Sequence, residues 1–171
     1  MSGIIQATNL QVTNVKKLDG SAPTLNDLSI SHAGSVVQVV QGSHNSIVSI
    51  STATYTFTGL SATITPKFSS SKILVQVEQQ GCASTLMSTG AFNMRLQRDS
   101  SDIHNFAIAY WYSPQANGFR GPISTSYLDS PSTTSATVYR TMFGVNGGGT
   151  CSVQNDSANS VSTITLMEIK Q

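Results

Sequence analysis

The feature that most constrains this chain is a two-residue alternation that recurs between turn signals. Leu60, Ala62 and Ile64 alternate with Ser61, Thr63 and Thr65, and Phe92, Met94 and Leu96 alternate with Asn93, Arg95 and Gln97. Successive side chains of a strand point to opposite faces, so this pattern builds a half-buried antiparallel strand and cannot build one face of a helix. Residues 53–58 set Tyr55 and Phe57 on one face with Thr54, Thr56 and Thr58 on the other. Further strands are expected at 35–41, 46–50, 72–80, 123–128, 136–145, 151–154 and 161–169. Gly59 is expected to turn the chain between 53–58 and 60–65, and Pro66 to stop the second, because proline cannot donate to a sheet ladder. Asp99-Ser100-Ser101-Asp102 has turn chemistry and joins residues 91–98 to a return strand at 103–112, with Phe106, Ile108, Tyr110 and Tyr112 on one face. Val138 and Met142 oppose Tyr139 and Phe143, so both faces of 136–145 are expected to meet apolar neighbours. About ten short strands with no convincing helix define an all-β protein, an antiparallel β-sandwich of jelly-roll-like type.

Residues 1–34 have no steady period. Ile4, Ile5, Leu10, Val12, Val15, Leu18, Leu25, Leu28 and Ile30 are scattered among Asn, Thr, Ser and Gly. They read as a short extended N-terminal arm, followed by a sandwich domain over 35–171. So many apolar side chains on an arm call for burial, on the same subunit or on another chain.

Composition then removes several classes of function. Only 10% of the 171 residues are charged, against about 25% in an average soluble domain. A helical bundle or coiled coil, with charged solvent faces, is excluded on that ground. Nine Lys plus Arg against eight Asp plus Glu leave a net charge of +1, without the basic footprint of a nucleic-acid or anionic-membrane binder. The chain has 27 Ser and 19 Thr, so hydroxyls solvate most of its surface. Residues 1–10 lack the basic start and apolar run of a signal peptide, and no run approaches the roughly 20 apolar residues of a membrane span.

The residues that carry chemistry form no recognisable active site. Asp99 and Asp102 are close in sequence but belong to a turn, and Glu78 and Glu168 lie on strands, where Arg95, Arg98 or Arg140 are the expected partners. His32, His44 and His104 form no metal-binding spacing, and Cys82 and Cys151 have no nearby second ligand. The two thiols read as separate and semi-buried, although a disulfide between them is geometrically possible. Gly147-Gly148-Gly149 lacks the following Lys-Ser/Thr and helix of a phosphate loop, and is expected to be a hairpin loop. Hence no catalytic, cofactor or metal residue is assigned. One aromatic cluster stands out: Tyr110, Trp111, Tyr112, Phe119 and Tyr127, beside a loop rich in Asn, Gln and Ser. Such a composition suits a subunit interface or core, and also a glycan site. Trp111, Tyr112, Asn117, Phe119 and Arg120 are therefore the candidate receptor or subunit contacts.

Several strings resemble a known family. Gly34-Ser35-Val36-Val37-Gln38-Val39-Val40-Gln41, Thr58-Gly59-Leu60-Ser61-Ala62-Thr63-Ile64-Thr65-Pro66 and Ser70-Ser71-Lys72-Ile73-Leu74-Val75 are similar to segments of small tail-fibre-like or decoration virion proteins of tailed bacteriophages, the marine phage type. The segment from Tyr127 to Thr137 and the ending Ser162-Thr163-Ile164-Thr165-Leu166-Met167-Glu168-Ile169 resemble the same family. Residues 90–121 match none of its patterns. The resemblance implies a non-enzymatic, all-β virion protein that forms a homotrimer, made in the host cytoplasm and exposed on the particle. It implies capsid or tail proteins as partners. The arm resembles the family only in style, and its apolar character makes Ile4, Ile5, Leu10, Val12 and Val15 the residues expected to anchor it to the particle. A glycan-binding adhesin is the alternative, and a polysaccharide-degrading enzyme the least favoured reading. No functional site transfers, since the shared motifs are strands.

Overall fold

A computed structural model describes residues 33–85, 91–110, 118–155 and 160–171. The arm expected over 1–34 lies outside the described residues except for Ala33 and Gly34. The described chain is all-β: β1 (Val36–His44), β2 (Val48–Ile50), β3 (Thr56–Ile64), β4 (Lys72–Thr85), β5 (Ala91–Arg98), β6 (Ser101–Tyr110), β7 (Phe119–Asp129), β8 (Thr137–Asn146), β9 (Thr150–Val153) and β10 (Ser162–Ile169). All strand pairs are antiparallel.

Two sheets make a sandwich. One has four strands in the order β3-β8-β5-β6, and the other has six, in which β4 is the spine. β7 lies along one edge of β4, while β10 and β9 share the other: β10 pairs Lys72 to Glu78 and β9 pairs Ala83 to Thr85. Outside these pairings β1 flanks β10 and β2 flanks β9. One part of the core sets Leu60, Ala62, Ile64, Leu96 and Tyr139 of the four-stranded sheet against Ile73, Val75, Val77, Ile164 and Leu166 of the other. The second part joins Phe92, Met94, Phe143 and Val145 to Cys82, Ile123, Cys151 and Val153, with the Phe92 and Phe143 rings stacked at 5.8 Å. Both cysteines are free and fully buried, and burial pushes the Cys151 thiol up to about 12 and Cys82 higher still.

The alternation of β5 is reproduced: Phe92, Met94 and Leu96 are fully buried. Its hairpin with β6 turns at Asp99 and Ser100, where Asp99 takes a left-handed φ of 53°. Four details differ from expectation. Gly59 does not turn the chain; it lies inside β3 at φ +89°, where the strand pairing shifts register. The parity of Leu60, Ala62 and Ile64 therefore runs on to Thr58, which is buried, while Phe57 faces outward. The strand expected over 72–80 also runs on: Gly81, at φ +56°, carries β4 through the gap between β10 and β9, where an added Cβ would sit 2.5 Å from the Asn155 backbone nitrogen. In β6, register shifts and a positive φ at Ala109 turn Ala107 toward the core and leave Ile108 and Tyr110 exposed. Finally, Gly147-Gly148-Gly149 is not a hairpin loop, because β8 and β9 belong to different sheets and the glycines carry the chain across.

Candidate functional site

Of the aromatic cluster expected from the sequence, Phe119 and Tyr127 lie far apart on β7. Trp111, Tyr112 and Asn117 lie outside the described residues. Phe119 is half-buried and Arg120 exposed at the start of β7, opposite Ser84 and Ala83 of β4. Tyr127 lies eight residues further along the same strand, about 27 Å away at 3.4 Å per residue. There it packs on the core and stacks against His104 of β6 at 4.8 Å, while His104 Nε2 lies 3.3 Å from Thr125 Oγ1. These contacts close one side of the sandwich between β6 and β7. The anchoring residues Ile4, Ile5, Leu10, Val12 and Val15 also lie outside the described residues.

The acids are used structurally. Asp99 Oδ1 accepts the Val138 N–H at 3.0 Å, and Asp102 pairs with Arg95 and accepts Gln97 Nε2 at 2.8 Å. Arg95 also lies over the Tyr55 ring, 3.5 Å from its centroid. Arginine does not partner the strand glutamates as expected. Glu78 is exposed, and Glu168, though fully buried, is held by amides. Gln38 Nε2 donates to Glu168 Oε2 at 2.6 Å, and the N–H groups of Lys67 and Phe68 donate to Oε1 at 2.8 and 3.2 Å. Burial alone raises the Glu168 pKa, but the hydrogen bonds from Gln38, Lys67 and Phe68 outweigh it and hold the carboxyl below its ordinary value.

Asp129 is the second buried carboxylate, and composition gave no sign of it. It faces Ile73 across β4 from Glu168 on one rung, which puts the two backbones about 10 Å apart at two strand spacings. Arg98 Nη1 donates to both Asp129 oxygens at 3.0 and 2.9 Å, and the Tyr139 hydroxyl donates at 2.6 Å. Burial first, then the bond to Asp129, raises the Tyr139 pKa. Each carboxylate is thus held by bonds that tie loops and sheets together. No group of three or more His, Cys, Asp or Glu side chains converges on a metal position among the described residues.

The two faces of the six-stranded sheet treat polar groups differently. Inside, Gln154 and Gln79 both donate to Ser162 Oγ, at 3.1 and 2.9 Å, and the Gln80 N–H reaches the same oxygen at 2.9 Å. Thr141 donates to Gln79 Oε1 at 2.9 Å and lies 2.5 Å from Thr58 Oγ1, which accepts the Leu60 N–H. This chain of buried groups crosses from one sheet to the other beside the gap between β9 and β10 and pairs most of its polar atoms, Gln154 Oε1 being buried without a partner.

The outer face is a grid of rungs running over β1, β10, β4 and β7. Val39, Met167, Leu74 and Leu128 form one rung, Gln41, Thr165, Gln76 and Ser126 the next, and Ser43, Thr163, Glu78 and Ser124 the third. A groove of about 450 Å³ lies over the two polar rungs. Gln41 Nε2 donates to Thr165 Oγ1 at 3.0 Å, whereas Gln76, Glu78, Ser124, Ser126 and Thr163 make no side-chain hydrogen bond or ion pair among the described residues. In the apolar rung Val39 is 57% and Leu128 47% exposed. The sequence did carry a signal for this face, since Leu74 and Met167 interrupt the polar parity of their strands.

The chain matches no protein-family model and none of the curated proteins in sequence. Among solved structures it is similar to that of the infectious bursal disease virus Gx strain, at 13% identity over 78% of this chain and 32% of that one, with a TM-score of 0.47. It is similar too to the crystal structure of the infectious bursal disease virus VP2 subviral particle, at 9% identity over 80% of this chain and 39% of that one, with a TM-score of 0.45. The chain therefore spans about a third to two fifths of the length of these structures. The functional reading rests on the chain's own residues and not on likeness of this degree.

Proposed function

We propose that this chain is a virion structural subunit of a tailed bacteriophage, of the fibre, spike or decoration type, that acts by association and not by catalysis. Two lines support this reading. Four of the five segments that resemble the tail-fibre-like family fall on β1, β3, β4 and β10, and the fifth runs from the end of β7 to the first residue of β8. The observation that carries it is the disposition of polar chemistry. The buried carboxylates and amides are consumed in holding the sandwich, and the six-stranded sheet presents a charge-poor face outward. In this proposal the subunit forms a homotrimer, residues 1–34 attach it to capsid or tail proteins, and the opposite end is exposed on the particle. Host-glycan binding by Trp111, Tyr112, Asn117, Phe119 and Arg120 is the alternative reading, and three of these residues lie outside the described ones.

Quantitative mass spectrometry of purified particles of the encoding virus tests the reading. The expected result is a fixed copy number divisible by three, lost when residues 1–32 are deleted although the truncated protein still folds. Absence of the chain from purified particles would overturn the virion assignment.

A further inference from the structure

We infer that the outer face of the six-stranded sheet is a self-association surface, on which a second copy of this chain stacks its own equivalent face. The inference does not depend on the virion assignment or on the trimer. Its starting point is the rung Val39, Met167, Leu74 and Leu128, which crosses four strands on the side away from the core. A solvated antiparallel face normally alternates polar with the buried set, so an outward apolar row calls for a partner.

Charge and size select the occupant. Across the twelve positions of the three rungs the only charged side chain is Glu78, at the far polar end from the apolar row. A nucleic acid, an anionic membrane or a strongly charged protein gains nothing from such a face. Another copy, from a chain with only 10% charged residues, meets it without like-charge opposition. Four strand spacings by three rungs cover about 400 Å² in projection, half of the roughly 800 Å² per partner of a standard interface, so the contact is of the weak, concentration-dependent kind. A two-fold axis through the middle of the apolar row pairs Val39 with the second copy's Leu128 position, and Met167 with its Leu74 position. Stacked sheets lie about 10 Å apart at a small crossing angle, which lets the row of one copy seat on the row of the other. The neighbouring hydroxyl and amide rungs then form a wet polar rim.

Sedimentation velocity of the full chain at about 10–100 µM tests this, with circular dichroism to confirm folding. Wild type is expected as a two-fold species, or as twice any trimer it forms. Leu74→Arg and Leu128→Lys, both outward substitutions, should each halve that mass and weaken association by about 100-fold or more. Ile108→Arg, at an exposed position on β6, should leave the mass unchanged. The inference is overturned if wild type is monomeric or purely trimeric across this range, or if folded Leu74→Arg and Leu128→Lys proteins keep the wild-type mass. In the monomeric or trimeric case, presence of the chain in purified particles would leave the virion reading standing.

Discussion

Gln79 and Gln76 lie three residues apart on β4 and have opposite fates. Gln79 is fully buried, donates to Ser162 and accepts from Thr141. Gln76 points outward and has no side-chain partner among the described residues. The same contrast separates Glu168 from Glu78. One residue type can thus serve as an internal tie or as open surface, and the pleat of the strand alone decides which. In this molecule the inward parity holds the fold, and the outward parity is left for contact.

That division can be broken most forcefully at the inward carboxylates. Asp129→Ala leaves Arg98 and Tyr139 without their acceptor and is expected to cost about 3 kcal/mol, nearer the low end for a buried pair because Arg98 keeps some contact with water. Urea unfolding measures it, and a loss below about 1 kcal/mol would place Asp129 with the surface groups. Gln79→Ala should cost about 2 kcal/mol by removing the acceptor of Thr141 and one of the donors to Ser162 from a fully buried site, whereas Gln76→Ala should stay within about 0.5 kcal/mol. Equal losses at the two glutamines would erase the contrast.

Glu168 adds a pH dependence. Its folded pKa lies below the ordinary value of 4.5, so the unfolded chain binds its proton first as pH falls. The stability it contributes is full above that unfolded value and is lost as pH falls through the lower folded pKa. Glu168→Gln should reduce stability by about 1–2 kcal/mol at pH 7 and flatten this part of the acid limb. An acid limb identical to that of wild type would show that Glu168 does not carry it.

Much of the sandwich was legible because period-2 alternation is local. The strands around Leu60, Phe92 and Ile164 announce themselves within six or eight residues. Glycine was ambiguous for a physical reason: a positive φ serves a turn and a bulge equally, so Gly59 and Gly81 looked like ends when they are irregularities within strands. Sheet membership was hidden as well. The run Gly147-Gly148-Gly149 permits a sharp change of direction, but only the distant partners of β8 and β9 send them to different sheets. The inner ties were invisible because Gln79 and Ser162 are 83 positions apart, and Arg98 and Asp129 are 31 apart. The outer face was half legible, since Leu74 and Met167 break the polar parity, yet their alignment in one rung depends on register.

The most direct measurement of the central claim uses two adjacent residues of β10. Leu166 is fully buried between the sheets, and Met167 points outward in the apolar rung. Stability and sedimentation mass should be recorded for Leu166→Ala and Met167→Arg. Leu166→Ala is predicted to lose about 2–5 kcal/mol while its folded form keeps the wild-type mass. Met167→Arg is predicted to halve the mass of the face-to-face species while the monomer's stability changes by less than about 1 kcal/mol. A Met167→Arg protein that is folded and still associates as wild type would contradict the account.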